Sequence, residues 1–195
     1  MLRIGVISDT HIPARSRIVP PAVFDVFAGV DAILHAGDVN VQDALIELEA
    51  IAPVHGVLGN NDDWSLHGVL PERAQLECSE HGITAASGGR ANGRGPGDGE
   101  GDGSLTVGMI HDSGATQGRR RRMEAAFPGC RVVVFGHSHQ PFVEDDGSLL
   151  LLNPGSAVDP RRARIPTVAI LEIADGQPKA TLIELPKRAG GPPER

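Results

Sequence analysis

Three short apolar runs, each ending in small and polar residues, occupy the first third of the chain. They cover residues 2–7, 31–35 and 54–58, and their β-branched content is typical of buried strands. The two stretches between them, 20–27 and 41–52, have helical features: a proline pair opens the first, and apolar residues recur every three or four positions in the second. The order β-α-β-α-β implies a parallel sheet with helices on its faces.

The second half of the chain is rich in short apolar runs but has one candidate helix, at 119–127. We assign its strands to a second, more antiparallel sheet. The expected fold is therefore an α/β fold in which a two-sheet β sandwich is flanked by helices. The strands predicted for this half lie at 74–78, 83–86, 105–110, 132–135, 149–152, 168–173 and 180–185.

The length of 195 residues predicts a single domain, which we place at residues 1–186. Residues 88–104 are almost all Gly, Asp, Arg and Asn, which predicts a flexible Gly-rich insertion between two strands. Residues 187–195 are rich in Gly and Pro and are expected to form a disordered tail.

Charge and composition restrict the class of protein. A net charge of -7 argues against non-specific binding to DNA or membranes, which depends on basic surfaces. No apolar run approaches the ~20 residues of a membrane span, and the first residues lead directly into a strand rather than a signal peptide. Cys78 and Cys130 form no CxxC pair and are expected to be reduced and structural. These observations predict a cytoplasmic protein.

Polar residues follow five of the predicted strands at the point where each strand ends. Ligands of open α/β sheets bind outside the carboxyl ends of the strands, so these side chains are expected to converge on one site. Two motifs are i, i+2 pairs, and alternate residues of an extended chain point to the same side. The residues concerned are Asp9, His11, Asp38, Asn60, Asn61, Asp62, His111, His137 and His139.

Carboxylates and imidazoles together are typical ligands of Mn, Fe, Zn, Co or Ni rather than of Ca or Mg. Six or seven ligands exceed the four that a tetrahedral ion takes, so we expect two divalent ions, with manganese as the first choice. Two ions ~3.5–4 Å apart need a bridging ligand. The carboxylate of Asp38 is the candidate bridge.

Five motifs in this order resemble those of the calcineurin-like metallophosphoesterases. They are Asp9-x-His11, Gly37-Asp38, Gly59-Asn60-x-Asp62, His111 and Gly136-His137-x-His139. The short length and the Asn153-Pro154-Gly155-Ser156 segment are similar to the small bacterial and archaeal phosphodiesterase branch. The resemblance covers residues 1 to about 185 and implies a four-layer α/β/β/α fold.

The resemblance also implies a reaction, the hydrolysis of a phosphodiester by a metal-bridging hydroxide that attacks phosphorus opposite the leaving oxygen. The ions would neutralise the non-bridging oxygens as charge develops. The catalytic residues are then Asp38, Asn60 and Asn61. One ion would be held by Asp9, His11 and His139, the other by Asn60, His111 and His137, and both by Asp38.

Two residues depart from the family pattern. Many members have histidine where this chain has Asn61, and that histidine is thought to protonate the leaving group or to bind a phosphate oxygen. An amide cannot act as a general acid near neutral pH, although it can donate a hydrogen bond to phosphate. Since general acid catalysis typically contributes 10²–10⁴-fold, we expect a preference for activated diesters. Asp112 stands where the family usually has glycine, and could crowd the site or accept a hydrogen bond from His111.

Several other residues have a structural and a functional interpretation. His35 lies in an apolar run, which favours a hydrogen-bonded core histidine over a ligand. Asp62 is expected to orient the Asn60 loop rather than to bind metal. The segment 153–156 is either a simple turn or a positioning element near the site. Two groups of arginines are either solvated surface or phosphate contacts, namely Arg119 to Arg122 and the set Arg161, Arg162 and Arg164.

Three functions remain open at this point. The leading hypothesis is a binuclear metal-dependent phosphodiesterase that acts on a small phosphate diester or a nucleotide-like substrate. The second is a non-catalytic metal-binding interaction or scaffold module of the same fold, and the third is a phosphomonoesterase or nucleotidase. The sequence decides neither nucleic-acid binding nor whether the chain forms a homodimer.

Overall fold

A computed structural model describes residues 1–86 and 103–186 of the chain. Two short 3₁₀ helices, Trp64–Gly68 and Arg161–Ala163, accompany the regular elements. The strands and α-helices are β1 (Leu2–Ile7), α1 (Pro21–Phe27), β2 (Ala32–His35), α2 (Gln42–Glu49), β3 (Val54–Gly56), β4 (Arg73–Ser79), β5 (Gly82–Ala85), β6 (Leu105–Ile110), α3 (Arg119–Ala126), β7 (Val132–Val134), β8 (Phe142–Asp145), β9 (Leu150–Asn153), β10 (Thr167–Ala174) and β11 (Gln177–Glu184).

The first sheet has five strands in the order β11-β10-β1-β2-β3. Strands β1, β2 and β3 are parallel, as predicted, and Ile7, His35 and Gly56 lie level with one another at their carboxyl ends. The assignment of β10 and β11 to the second sheet is wrong, because β10 pairs antiparallel with β1. The first five residues of β10 are all buried, which is the pattern of an interior strand covered on both faces.

The second sheet has six strands in the order β5-β4-β6-β7-β9-β8. It is mixed, since β6, β7 and β9 are parallel to one another whereas β5, β4 and β8 pair antiparallel with their neighbours. Edge strand β8 was not predicted, because three of its four residues are exposed and two of them are acidic. The parallel strands of both sheets nevertheless end at the positions where the polar motifs begin.

The two sheets pack face to face around an aliphatic core, to which Val6, Leu34, Val107 and Leu152 contribute. Helices α1 and α2 cover the outer face of the first sheet, and α3 covers the outer face of the second. The predicted four-layer α/β/β/α fold is confirmed. Such burial contributes roughly 1.5–3 kcal/mol for each large apolar side chain.

Other expectations concern the segments outside this core. The predicted insertion at 88–104 lies outside the described residues except for its last two positions, and the predicted tail at 187–195 lies wholly outside them. Cys78 and Cys130 are free and buried, as expected. Burial raises the pKa of their thiols, to about 12 and about 11 respectively. In the described parts of the chain, no helix is long and apolar enough to cross a membrane.

Candidate metal centre

The loops that follow β1, β2, β3, β6 and β7 meet at one edge of the sandwich. Main-chain hydrogen bonds hold them together: the amides of Asp9 and His11 donate to the carbonyls of Gly37 and Asp38, each over 3.0 Å. The amide of Gly136 donates to the carbonyl of His111 over 2.9 Å and so joins the loops after β6 and β7. The polar side chains that follow the strands therefore come together, as the strand order predicts.

The backbone of these residues is left-handed rather than extended. An i, i+2 pair in a strand points to one side, but here each residue of both pairs has a positive φ, so that part of the prediction is wrong. Positive φ is uncommon outside glycine and is several-fold enriched in Asp and His. Each of these residues turns the chain sharply, and His137 and His139 thereby face different neighbours. The φ values are 52° at Asp9, 48° at His11, 56° at Asp38, 66° at His137 and 55° at His139.

A first cluster consists of Asp9, His11 and His139, all buried. The Nε2 atoms of His11 and His139 lie 3.2 Å apart, and Oδ1 of Asp9 lies 3.2 Å from Nε2 of His139. The Nδ1 atoms of the two histidines are held by oxygen atoms, Oδ1 of Asn40 at 3.2 Å and the carbonyl of Asp159. Each ring therefore donates from Nδ1 and presents a lone pair at Nε2.

The chemistry of this cluster fits a cation. Oδ1 of Asp9 is buried without a hydrogen-bond partner among the described residues, although buried polar atoms are nearly always paired. Burial lowers the pKa of His11 more than the nearby carboxylates of Asp38 and Asp9 raise it. The His11 ring is therefore neutral. Two imidazole lone pairs and a carboxylate oxygen thus face one another, and a positive ion between them would satisfy all three.

A second cluster consists of Asn60, His111 and His137. Oδ1 of Asn60 lies 2.9 Å from Nδ1 of His137 and 3.1 Å from Nε2 of His111, and the two ring nitrogens are 3.3 Å apart. His111 is buried, whereas Asn60 and His137 are exposed. This side of the centre is therefore open to solvent and to a ligand.

Asp38 lies between the two clusters. Its Oδ2 is 3.6 Å from Nε2 of His11, and its Oδ1 is 3.4 Å from Nε2 of His111. Burial raises the pKa of Asp38, but hydrogen bonds from His111 and Asn61 outweigh it and hold that pKa well below its usual range. The carboxylate is therefore ionised, and each oxygen faces a different histidine.

Asn61 directs both of its nitrogen atoms at Asp38. Its amide N–H donates to Oδ1 over 2.8 Å, and its side-chain Nδ2 donates to Oδ2 over 2.7 Å. The side chain is thus adjacent to the centre, where the sequence placed it. One N–H of this amide fixes the carboxylate of Asp38, which leaves the second N–H of the exposed side chain for a ligand.

Asp62 orients the loop that carries Asn60, as expected. Its two carboxylate oxygens accept hydrogen bonds from the amides of Asn40 and Gly59, each over 2.7 Å. Asn40 in turn holds Nδ1 of His11. Asn40 was not predicted to belong to the site, although its position two residues after Asp38 could have indicated it.

The segment 153–156 is a positioning element and not merely a turn. Asn153 donates to the carbonyl of Gly136 over 2.8 Å, and Ser156 donates to the carbonyl of Asp9 over 2.8 Å. Ser8 reaches the same segment through the carbonyl of Gly155 at 2.8 Å. The segment therefore fixes both loops that supply the first cluster.

Neither role considered for Asp112 is found. Nδ1 of His111 lies 2.8 Å from the carbonyl of Ala36, which takes the place of the carboxylate considered as its partner. Asp112 is exposed and accepts a hydrogen bond from the amide of Gly114 over 2.7 Å. Main-chain carbonyls such as that of Ala36 have no residue-type signature, so sequence reasoning could not identify them.

His35 is a core histidine, as predicted. Its Nε2 lies 3.1 Å from Oγ1 of Thr10, whereas its Nδ1 has no partner among the described residues. Burial is the main reason why its pKa falls to about 4. His35 supports the Asp9 loop through Thr10 and remains neutral.

Three of the four arginines of α3 contact other parts of the protein, whereas Arg121 is exposed, as the solvated-surface interpretation expects. Arg120 donates to Oε1 of Glu144 over 2.7 Å. Arg122 donates to main-chain carbonyls in the 113–117 loop, which follows His111. Arg119 lies over two phenylalanine rings, the nearer with its centroid at 4.9 Å. These three side chains stabilise α3 and its loop.

Two archaeal proteins are similar in sequence to most of this chain. A probable metallophosphoesterase from Methanothermobacter thermautotrophicus is 39% identical over 176 residues, which are 89% of this chain and 87% of that protein. A probable metallophosphoesterase from Methanocaldococcus jannaschii is 35% identical over 161 residues, 81% of this chain and 69% of that protein.

Solved structures show the same fold at lower identity. Vacuolar protein sorting 29 from Entamoeba histolytica, complexed with zinc, has a TM-score of 0.66 at 19% identity over 94% of this chain and 99% of its own. An archaeal phosphodiesterase has a TM-score of 0.63 at 20% identity over 93% of this chain and all of its own. The profile of the calcineurin-like phosphoesterase superfamily domain matches residues 2–176, and the chain therefore belongs to that superfamily.

Proposed function

We propose that this protein is a binuclear metal-dependent phosphodiesterase. The observation that carries the proposal is the position of Asp38, whose two carboxylate oxygens face the histidines of two different clusters. That is the arrangement a bridging carboxylate needs. The first ion would be held by Asp9, His11 and His139, and the second by Asn60, His111 and His137, with Asp38 shared.

Two divalent ions held there would supply a hydroxide nucleophile near neutral pH and would neutralise the phosphoryl oxygens as charge develops. Asn60 would be a neutral ligand and would keep the second ion electrophilic. Two dications, two aspartates and a hydroxide sum to roughly +1, which favours a phosphate ester anion over a neutral ester. A mixed nitrogen and oxygen donor set suits manganese, and nickel, cobalt, iron and zinc are the alternatives.

The position of Asn61 supports a diester with a good leaving group as the substrate. The amide cannot protonate a leaving oxygen, and its Nδ2 already donates to Asp38. The histidines of the two clusters would hold the ions, so none of them would serve as the missing general acid. Phosphate esters with poor leaving groups are therefore expected to react slowly.

The test is hydrolysis of bis(p-nitrophenyl) phosphate and p-nitrophenyl phosphate by metal-stripped protein, with Mn²⁺, Ni²⁺, Co²⁺, Zn²⁺ and Mg²⁺ added back. We expect Mn²⁺ to restore cleavage of the diester, with little cleavage of the monoester. The variant Asp38→Ala should lose at least roughly 100-fold in rate, since even outer-shell partners of metal ligands contribute 10–100-fold. A matched control is Asp146→Ala, an exposed carboxylate on the β8–β9 turn.

Other results would point to the other candidate functions. Undiminished activity in Asp38→Ala would exclude the proposed site. Protein that binds two ions but hydrolyses neither ester with any metal would instead be a metal-binding interaction module. Faster cleavage of the monoester would indicate a phosphomonoesterase.

We also infer a reducing, cytoplasmic location, which the two buried free thiols support.

A further inference from the structure

A second group of arginines lies beside the first cluster, on two loops that meet there. Arg15 and Arg17 are in the loop after β1, and Arg161, Arg162 and Arg164 are in the loop between β9 and β10. All five are exposed. We propose that this arginine rim binds a further phosphate group of the phosphodiester substrate, apart from the phosphate that is hydrolysed. The proposal rests on the proposed function and names the class of substrate.

Asp159 connects the rim to the candidate metal centre. Its main-chain carbonyl accepts a hydrogen bond from Nδ1 of His139, and its carboxylate lies 3.4 Å from Nε of Arg15 and 3.7 Å from Nε of Arg161. Ser156 accepts a hydrogen bond from the amide of Asp159 over 2.9 Å. One residue therefore contacts both the first cluster and two arginines of the rim.

Arg15 is also placed by the other loop of the first cluster. Its amide donates to the carbonyl of His11 over 2.8 Å, so that Arg15 lies one tight turn beyond that histidine. Arg161 and Arg164 both have positive φ, 46° and 66°, which is uncommon for long side chains. Arg15 thus lies four residues after His11. Arg161 lies two residues after Asp159, whose carbonyl is the partner of His139.

The charge of the rim contrasts with that of the whole chain. Segments 12–20 and 157–166 contain five arginines and a single acidic residue, Asp159, which gives them a net charge of +4. The chain as a whole carries -7. Such a local basic region attracts anions, and the planar guanidinium matches phosphate in a bidentate geometry. Glu47, which approaches from α2, has its Oε2 occupied by the amide of Val19 at 2.7 Å.

The rim differs from the arginines of α3 in what it binds within the protein. Arg120 and Arg122 are occupied by acidic side chains and by main-chain carbonyls. Within residues 1–86 and 103–186, the acidic side chain found against the rim is Asp159 alone. One carboxylate cannot occupy five guanidinium groups. The rim is therefore the arginine group with donors available for an anionic ligand beside the centre.

The test compares two substrates that differ by one phosphate: thymidine 5′-(p-nitrophenyl phosphate) and its 3′-phosphorylated form. With Mn²⁺-loaded wild-type protein, we expect the 3′-phosphate to lower KM by about tenfold, as a few exposed charge pairs allow, with a much smaller effect on kcat. The double variant Arg15→Gln/Arg161→Gln should lose most of this KM ratio. The control Arg73→Gln/Arg121→Gln removes the same charge from exposed sites on β4 and α3 and should keep the ratio.

Equal KM values for the two substrates in the wild type would overturn the proposal, and so would an unchanged KM ratio in Arg15→Gln/Arg161→Gln. An equal loss with both substrates would mean that the arginines act only on the structure. If neither substrate is hydrolysed, the proposed function fails. Calorimetric measurement of ligand binding then tests whether the arginine rim binds a phosphate group. Thymidine 3′,5′-bisphosphate should bind wild-type protein about tenfold more tightly than thymidine 5′-monophosphate, and equal binding would reject the rim.

Discussion

At the scale of single residues, Gly59 shows how little space the candidate centre leaves. A Cβ atom at this position would overlap the amide nitrogen and Oδ1 of Asp38. We expect Gly59→Ala to lower the free energy of unfolding by about 1–3 kcal/mol and to reduce metal binding, because the obstructing atoms include main chain that cannot move freely. Urea denaturation and metal titration would measure the two effects.

The matched control for this substitution is Gly68→Ala. A Cβ there meets no atom within 4 Å, and no positive φ opposes the side chain. Its effect on the free energy of unfolding should lie within about 0.5 kcal/mol. If both variants bound metal as the wild type does, Gly59 would not be packed against Asp38 in solution.

His35 predicts a pH dependence of stability. Burial lowers its pKa to about 4 in the folded protein, from 6.5 when unfolded. The unfolded chain therefore binds the proton first, so the contribution of His35 is complete above pH 6.5 and is lost as the pH falls towards 4. Between pH 7.5 and pH 5 we expect its part of the loss to be roughly 2 kcal/mol.

The measurement is urea denaturation in EDTA at pH 7.5 and pH 5, for the wild type and His35→Gln. Glutamine keeps an N–H donor for Thr10 and does not titrate, so the variant should lose less stability on acidification by about that amount. Groups common to both proteins cancel in the difference. An identical loss in the two proteins would show that His35 is accessible to protons in the folded state.

Residue types at the strand ends predicted which side chains meet, but not how the chain presents them. Asp9, His11 and Asp38 were identified because they follow predicted strands and because five motifs in order resemble those of the metallophosphoesterases. Their left-handed backbone could not be predicted, since tertiary hydrogen bonds such as that from Asp9 to Gly37 impose it. The same holds for the carbonyls of Ala36 and Asp159, which any residue could supply.

At the scale of elements, α3 predicts a difference between adjacent arginines. Arg120 pairs with Glu144 and Asp146 at 2.7 and 2.8 Å and also donates to the carbonyl of Leu149. We expect Arg120→Ala to cost about 1–2 kcal/mol, since the loss leaves several groups of β8 and its turn unpaired. Arg121→Ala, at the exposed neighbouring position, should change stability by less than about 0.5 kcal/mol.

Thermal unfolding would check this prediction. For a chain of this length, 1 kcal/mol corresponds to roughly 2–4 °C in Tm, so the two variants should differ by several degrees. Equal Tm values would mean that the contacts of Arg120 with β8 contribute nothing measurable and that the run behaves as an ordinary solvated helix face.

Strands were predicted correctly where the sequence has a clear apolar run. They were missed or misplaced where packing against other elements determines the structure. The bounds of β1 and β6 match the apolar runs residue for residue. β8 was missed because its exposed acidic residues follow no strand pattern, and β10 was placed in the wrong sheet. The sheet that a strand joins depends on the elements that pack against it. The apolar sequence of β10 indicates a strand buried on both faces, but it does not indicate that β1 is its neighbour.

At the scale of the whole molecule, the centre joins the two halves of the sandwich. Asp9 and Asp38 come from the first sheet, and His111 and His139 come from the second. Oδ1 of Asp9 has no hydrogen-bond partner among the described residues, and the Nε2 atoms of His11 and His139 face each other. Unpaired buried acceptors are costly, so the junction between the sheets is the place where a bound ion would add most to stability.

Metal binding should therefore stabilise the fold. An ion that binds the folded state alone contributes about 2.7 kcal/mol at 100 times its Kd, which is roughly 5–10 °C in Tm for a chain of this length. We expect Mn²⁺ to raise the Tm of metal-stripped protein by that amount and EDTA to reverse the rise. Asp38→Asn should lose most of the shift because it removes the shared charge, whereas Asp146→Asn should keep it. An equal shift in wild type and Asp38→Asn would place the ion elsewhere, since a site that joins the two sheets through Asp38 must weaken when that carboxylate is neutral.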